Sequence, residues 1–189
     1  MSRYTCLFLG LAALIAGCSG PAPDSVAPAG RPPAEVPAAP APATDPAAAP
    51  TEPAPAAPEI EAAYWLNSDP LTLASLRGKT VVVEFWATWC PPCRQSIPHL
   101  IQMHKSFGPR GVVFVGLTSE PREAVERFVK EMGMPYAIGG GSRSAVAYGV
   151  RGVPHAVVID PSGAVAWKGH PMAGLDEALD AQLARTPPK

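Results

Sequence analysis

The chain has 189 residues, 47% hydrophobic and 16% charged, with a formal net charge of −1. This near-neutral balance excludes the concentrated basic face that nucleic-acid binding requires, so no nucleic-acid partner is expected. Its 25 prolines exceed what one packed domain absorbs, because each removes a backbone donor and fixes φ; most must lie in a segment without a core.

Residues 1–17 begin with Arg3 and continue as the apolar run Leu7-Phe8-Leu9-Gly10-Leu11-Ala12-Ala13-Leu14-Ile15. The run is short for a bilayer span and suits a signal peptide. It closes on Leu14-Ile15-Ala16-Gly17-Cys18-Ser19, which resembles the lipobox of bacterial lipoproteins. The resemblance implies cleavage before Cys18 and lipidation of Cys18, with two or three acyl chains giving a stable membrane anchor. The other reading is an ordinary secretory signal with an incidental cysteine. Cys6 leaves with the signal in either case.

From Gly20 to Pro58 the chain is almost wholly Ala and Pro with a few charges and no aromatic residue. Residues 18–58 are therefore expected to form a lipidated cysteine and a disordered linker, extended over on the order of 100 Å in its polyproline-like stretches. From Glu59 the composition turns globular. Residues 59–189 are read as one α/β domain holding all four tryptophans and both remaining cysteines.

Within that domain, Thr80-Val81-Val82-Val83-Glu84-Phe85-Trp86 suits a central strand buried on both faces, interrupted by Glu84. After Ala87-Thr88-Trp89-Cys90-Pro91-Pro92-Cys93, residues Arg94 to about Phe107 read as a helix with a kink expected at Pro98. Gly111–Leu117 reads as a second strand, followed by a helix opening at Ser119-Glu120-Pro121 and running to Met132. The alternation implies a parallel βαβ unit. Ala156–Asp160, a Pro161-Ser162-Gly163 turn, Ala164–Lys168 and a helix from about Leu175 to Ala184 complete the domain. Gly139-Gly140-Gly141 lacks the context of a phosphate loop and reads as a flexible loop.

Three segments carry a family resemblance. Phe85-Trp86-Ala87-Thr88-Trp89-Cys90-Pro91-Pro92-Cys93-Arg94, Gly149-Val150-Arg151-Gly152-Val153-Pro154-His155 and Ile159-Asp160-Pro161-Ser162-Gly163 together resemble the TlpA/ResA-like thioredoxin family. The match covers nearly all of residues 64–170, in the family's order and spacing. It implies a thioredoxin fold with a central mixed sheet flanked by helices. It also implies an extracytoplasmic thiol-disulfide oxidoreductase whose redox centre is the Cys90–Cys93 dithiol/disulfide, with no other cofactor. Protein thiols and disulfides would be its substrates, and a membrane donor would supply electrons, as in cytochrome c maturation or the upkeep of metal-site thiols.

The residues support that chemistry. A cysteine in the first turn of a helix faces unpaired N–H groups and the positive dipole end, which stabilise a thiolate. Cys90 would attack a substrate disulfide and Cys93 would resolve the mixed disulfide. Pro91 and Pro92 stiffen the turn. Pro154 matches the family's cis-proline, whose turn would bring the Val153 backbone beside Cys90 and offer an edge to an extended substrate. Trp89 would shield the thiolate and contact substrate, whereas Trp86 is read as packing, and Tyr64, Trp65 and Trp167 as core or rim. Glu84 lies where thioredoxins carry a buried acid; it would take the proton of Cys93, or else it is a strand-end carboxylate that reaches solvent. Many relatives have Glu three residues after the second cysteine, where this chain has Ser96. His155 would either touch the dithiol or be structural.

Two further readings compete. Cys90 and Cys93 could hold Cu(I) or Zn(II) with His99, His104, His155 or His170, but no second CxxC completes a site, so no metal site is expected. The dithiol could instead insert disulfides, because a CxxC motif alone does not fix the reduction potential.

Overall fold

The computed structural model describes residues 55–185; the expected signal peptide, Cys18 and nearly all of the Ala/Pro-rich segment lie outside the described residues. The described residues form six strands and four α-helices. They are β1 (Tyr64–Leu66), β2 (Thr80–Phe85), α1 (Pro91–Phe107), β3 (Val112–Leu117), α2 (Arg122–Met132), β4 (Ala137–Gly140), α3 (Ser144–Ala147), β5 (His155–Ile159), β6 (Val165–Gly169) and α4 (Leu175–Arg185). Among the described residues no helix is long and apolar enough to cross a membrane.

One mixed sheet runs β1-β4-β3-β2-β5-β6. Strands β2, β3 and β4 are parallel, as the βαβ pattern requires, while β1, β5 and β6 each pair antiparallel to a neighbour. All six residues of β2 are buried, which explains its nearly unbroken β-branched sequence: a central strand covered on both faces leaves no polar side. Val82 and Trp86 face a core formed with Cys93, Ile97 and Leu100 of α1, Val125 and Phe128 of α2, and Leu175 and Leu179 of α4. Val81, Val83 and Phe85 face a second core with Ile60, Leu73, Leu76 and Tyr148. By alternation Glu84 points into the α1 side.

Helix α1 begins at Pro91, three residues before the expected start at Arg94. Two prolines suit this position because first-turn N–H groups have no intrahelical acceptor to lose. Pro98 sits inside the helix.

The glycine run is where the sequence reading fails. Gly139 and Gly140 are not in a flexible loop but belong to the buried strand β4, paired with Trp65 and Tyr64 of β1. A Cβ at Gly139 would lie 2.8 Å from both Ala62 Cβ and Leu117 Cδ2, and one at Gly140 would overlap the Tyr64 ring. These glycines make room for packed neighbours. Tyr64 and Trp65, read as core or rim, form the edge strand that covers them.

The described chain joins the sheet at its first residues. Ala56 bridges to Ala164, Ala57 N–H donates to the Gly163 carbonyl (2.9 Å) and Val165 N–H to the Pro55 carbonyl (3.1 Å). At the same turn the Asp160 Oδ1 accepts from Ser162 N and Oγ and from Ala164 N.

Candidate active site

Strand β2 delivers the chain to its carboxyl end, and Ala87-Thr88-Trp89 turns it into α1. Cys90 occupies the N-cap with extended backbone (φ −90°, ψ 103°), and its sulfur accepts from Cys93 N–H at 3.2 Å. Cys90 and Cys93 are joined in a disulfide with Cα atoms 5.3 Å apart. Both are enclosed, at 2% and 0% exposure. The sulfur that would become a thiolate thus already meets one helix-terminal N–H, a contact of the kind that stabilises negative charge on sulfur.

The segment before β5 closes over the disulfide. Val153–Pro154 is a cis peptide, and the Val153 carbonyl oxygen stands 3.6 Å from Cys90 Sγ. Trp89 is 72% exposed beside them, and Pro91 and Pro92 are exposed as well. Trp86 is buried and stacks on Phe128 at 5.0 Å. A small apolar cleft of about 100 Å³ is lined in part by Phe85, Trp89, Leu117, Ala145 and Val153.

Glu84 does not reach solvent: it is 2% exposed. Tyr136 Oη donates to its Oε2 at 3.1 Å, while Oε1 is enclosed without a partner. Burial raises the Glu84 pKa to about 8, against the lowering effect of the Tyr136 hydrogen bond. Ser96, where many relatives carry Glu, is buried and donates from Oγ to the Cys93 carbonyl at 3.1 Å. With Ser96 at that position, the buried acid is Glu84, on the strand that leads to Cys90.

Glu120 is the residue that sequence reading missed. Its position in the sequence suits the opening of a helix, but its carboxylate holds the loop before Cys90, accepting from Thr88 N and Thr88 Oγ1 at 2.6 Å each and from Thr118 Oγ1 at 3.1 Å. Only its place at the carboxyl end of a parallel strand, next to β2, could have signalled this.

The histidines disperse. His99 pairs with Asp176 at 3.1 Å, and His104 packs edge-on to Phe114 and Tyr136. His155 is half-buried; burial, then Lys168 and His170, lower its pKa. Among the described residues no three His, Cys, Asp or Glu side chains are grouped to hold a metal.

Known proteins are similar to this chain in sequence and fold. The chain is 33% identical over 103 residues to the thiol-disulfide oxidoreductase ResA of Halalkalibacterium halodurans, covering 53% of this chain and 58% of that protein. It is 37% identical over 101 residues to the thiol:disulfide interchange protein HelX of Rhodobacter capsulatus, covering 51% and 55%. The chain thus spans less than two thirds of the length of these curated relatives. Among solved structures, a thiol:disulfide interchange protein of the thioredoxin family from Chlorobium tepidum aligns with TM-score 0.60 at 32% identity, covering 70% of this chain and 99% of that one. The thioredoxin fold expected from the motifs is therefore present. The AhpC/TSA family model matches residues 53–168, from the segment that pairs with β6 through the disulfide and cis-proline to β6 itself, and the chain belongs to that family.

Proposed function

We propose that this protein is an extracytoplasmic thiol-disulfide oxidoreductase of the ResA/HelX type that reduces protein disulfides. The observation that carries this reading is the Cys90–Cys93 disulfide at the start of α1, with the Val153 carbonyl 3.6 Å from Cys90 Sγ. In the reduced protein the Cys90 thiolate attacks a substrate disulfide, forming a mixed disulfide and releasing one substrate thiolate. Cys93 then loses its proton to Glu84 and attacks Cys90 Sγ, which expels the second substrate sulfur. Two electrons have passed to the substrate and the disulfide is restored; a membrane donor of the disulfide-reductase kind returns them. Trp89, Pro91, Pro92 and the Val153-Pro154 edge contact the substrate strand. The direction rests on the motif's resemblance, and cytochrome c maturation or metal-site thiol maintenance are the processes that fit it.

Placement rests on the sequence of residues 1–58. A signal over 1–17, a lipid on Cys18 and a tether over 18–58 would anchor the 59–189 domain to a bacterial membrane, facing the periplasm or the exterior.

The test uses the full chain. Cys93→Ser should accumulate a mixed disulfide through Cys90 when reduced protein meets a disulfide-bearing protein substrate, whereas Cys90→Ser should not. A Cys90–Cys93 potential near −270 mV or lower supports a reductase, and one near −120 mV would turn the assignment to an oxidase. Failure of Cys93→Ser to trap any adduct would overturn the exchange mechanism.

A further inference from the structure

The buried Glu84 carboxyl has one occupied oxygen and one bare one. Tyr136 Oη donates to Oε2 at 3.1 Å, and Oε1 is enclosed with no partner. Tyr136 itself is held on several sides. Its ring centroid lies 5.8 Å from that of His104 and 6.3 Å from that of Phe114. Asn67 Nδ2 donates both to the Met134 carbonyl (2.9 Å) and to the Tyr136 carbonyl (3.0 Å), bracing the segment that carries the phenol.

Among the described residues no cation is placed against Glu84. Its register neighbours, Gly116 on β3 and Ala156 on β5, carry no ionisable group. From α1 the shared core receives Cys93, Ile97, Leu100 and Met103, and from α2 it receives Val125, Phe128 and Val129. His104 of α1 lies against Tyr136, and burial lowers its pKa, which disfavours its charged form. Lys79 and Lys105 line the outer groove that His104 and Tyr136 also border. The single polar contact that orients Glu84 is thus a neutral hydroxyl, which stays protonated because burial and then the carboxyl itself hold its pKa well above the ordinary tyrosine range.

We propose that Tyr136 is a positioning residue for the proton step of the dithiol: its hydroxyl pins Glu84 through Oε2, presents Oε1 as the accepting oxygen, and sets the pH at which that oxygen is available. This rests on the reading of Glu84 as the acceptor of the Cys93 proton. As Cys93 attacks, its S–H bond breaks and the proton goes to Oε1. The Cys93–Cys90 bond forms with the electron pair left on sulfur, and the substrate sulfur leaves with the pair of the broken bond. Tyr136 keeps its own proton throughout. Losing its hydrogen bond removes a contact that favours the charged carboxylate, so Glu84 would titrate higher.

The experiment is a single turnover of the reduced full chain with an aromatic disulfide, whose two thiolates are released in two optical phases: attack by Cys90, then resolution by Cys93. Tyr136→Phe should raise the pH midpoint of the second phase by about one unit and leave the first phase unchanged. Glu84→Gln should abolish that midpoint. A midpoint that persists in Glu84→Gln removes Glu84 from the step and this inference with it. A midpoint lost in Glu84→Gln but unmoved in Tyr136→Phe overturns the role of Tyr136 alone. Site-specific 3-fluorotyrosine at position 136, a near-isosteric and stronger donor, covers the case of a Phe variant that does not fold; it should move the midpoint downward, and no movement overturns the proposal.

Discussion

The Glu120 carboxylate accepts both the backbone N–H and the hydroxyl of Thr88, two residues ahead of Cys90, at 2.6 Å each. The Glu120 carbonyl in turn accepts from Tyr64 Oη and Gly141 N–H, so the clamp is tied to the β1–β4 side of the sheet. Charge-assisted hydrogen bonds of this kind are the stronger ones. Glu120→Ala leaves Thr88 N–H without its acceptor and should destabilise the protein by about 1–3 kcal/mol. It should also slow alkylation of reduced Cys90, while Glu120→Gln, which keeps one carbonyl acceptor, falls between. Denaturant midpoints and alkylation rates measured side by side check both effects.

Glu84 makes stability depend on pH in a defined direction. Its pKa is about 8 in the folded protein against 4.5 for the ordinary carboxyl, so between those values the native state holds a proton that the unfolded state has lost. The stabilising contribution is full below about pH 4.5 and is lost progressively as pH rises to about 8, by roughly 5 kcal/mol at most. Unfolding of the oxidised protein, followed from pH 5 to pH 9, should show this decline. In Glu84→Gln the decline should be absent.

Gly140→Ala should be strongly destabilising, by about 2 kcal/mol or more, because the new methyl group overlaps the Tyr64 ring where buried β4 pairs with β1. The double variant Gly140→Ala with Tyr64→Ala should recover part of the loss, since the two positions are in contact. Thermal melts of the single and double variants provide the test.

Trp89 separates folding from function. At 72% exposure it contributes little to the core, and Trp89→Ala should change stability by no more than about 0.5 kcal/mol. The same variant should lower the rate of mixed-disulfide formation with a protein substrate roughly tenfold, the weight of one lost apolar contact of about 1.4 kcal/mol. An unchanged rate would remove Trp89 from the substrate surface.

The parts of the fold that were legible in the sequence are those in which local pattern and tertiary role agree. The apolar run of β2, the strand-to-helix junction at Cys90 and the Pro161-Ser162-Gly163 turn each announce themselves within a few residues. The glycines at 139 and 140 misled because their reason is not local: they are absent side chains, required by Tyr64, Leu117 and Ala62 from other segments. Glu120 was obscured in the same way. A carboxylate before a helix has an obvious local use, and its actual partner lies 32 positions upstream. Tyr136 carried no motif at all, since its importance arises from a hydrogen bond across 52 positions to Glu84.

The pairing of Pro55–Ala57 with the Gly163–Val165 end of the β5–β6 hairpin has a directional consequence. Strand β5 runs from His155, beside the cis-proline and Cys90, to Ile159, next to that hairpin turn. The described fold is thus gripped at one pole and reactive at the other, with five residues of strand, roughly 15 Å, between them. Anything that holds the protein through residues ahead of Pro55 pulls on the end remote from the sulfurs.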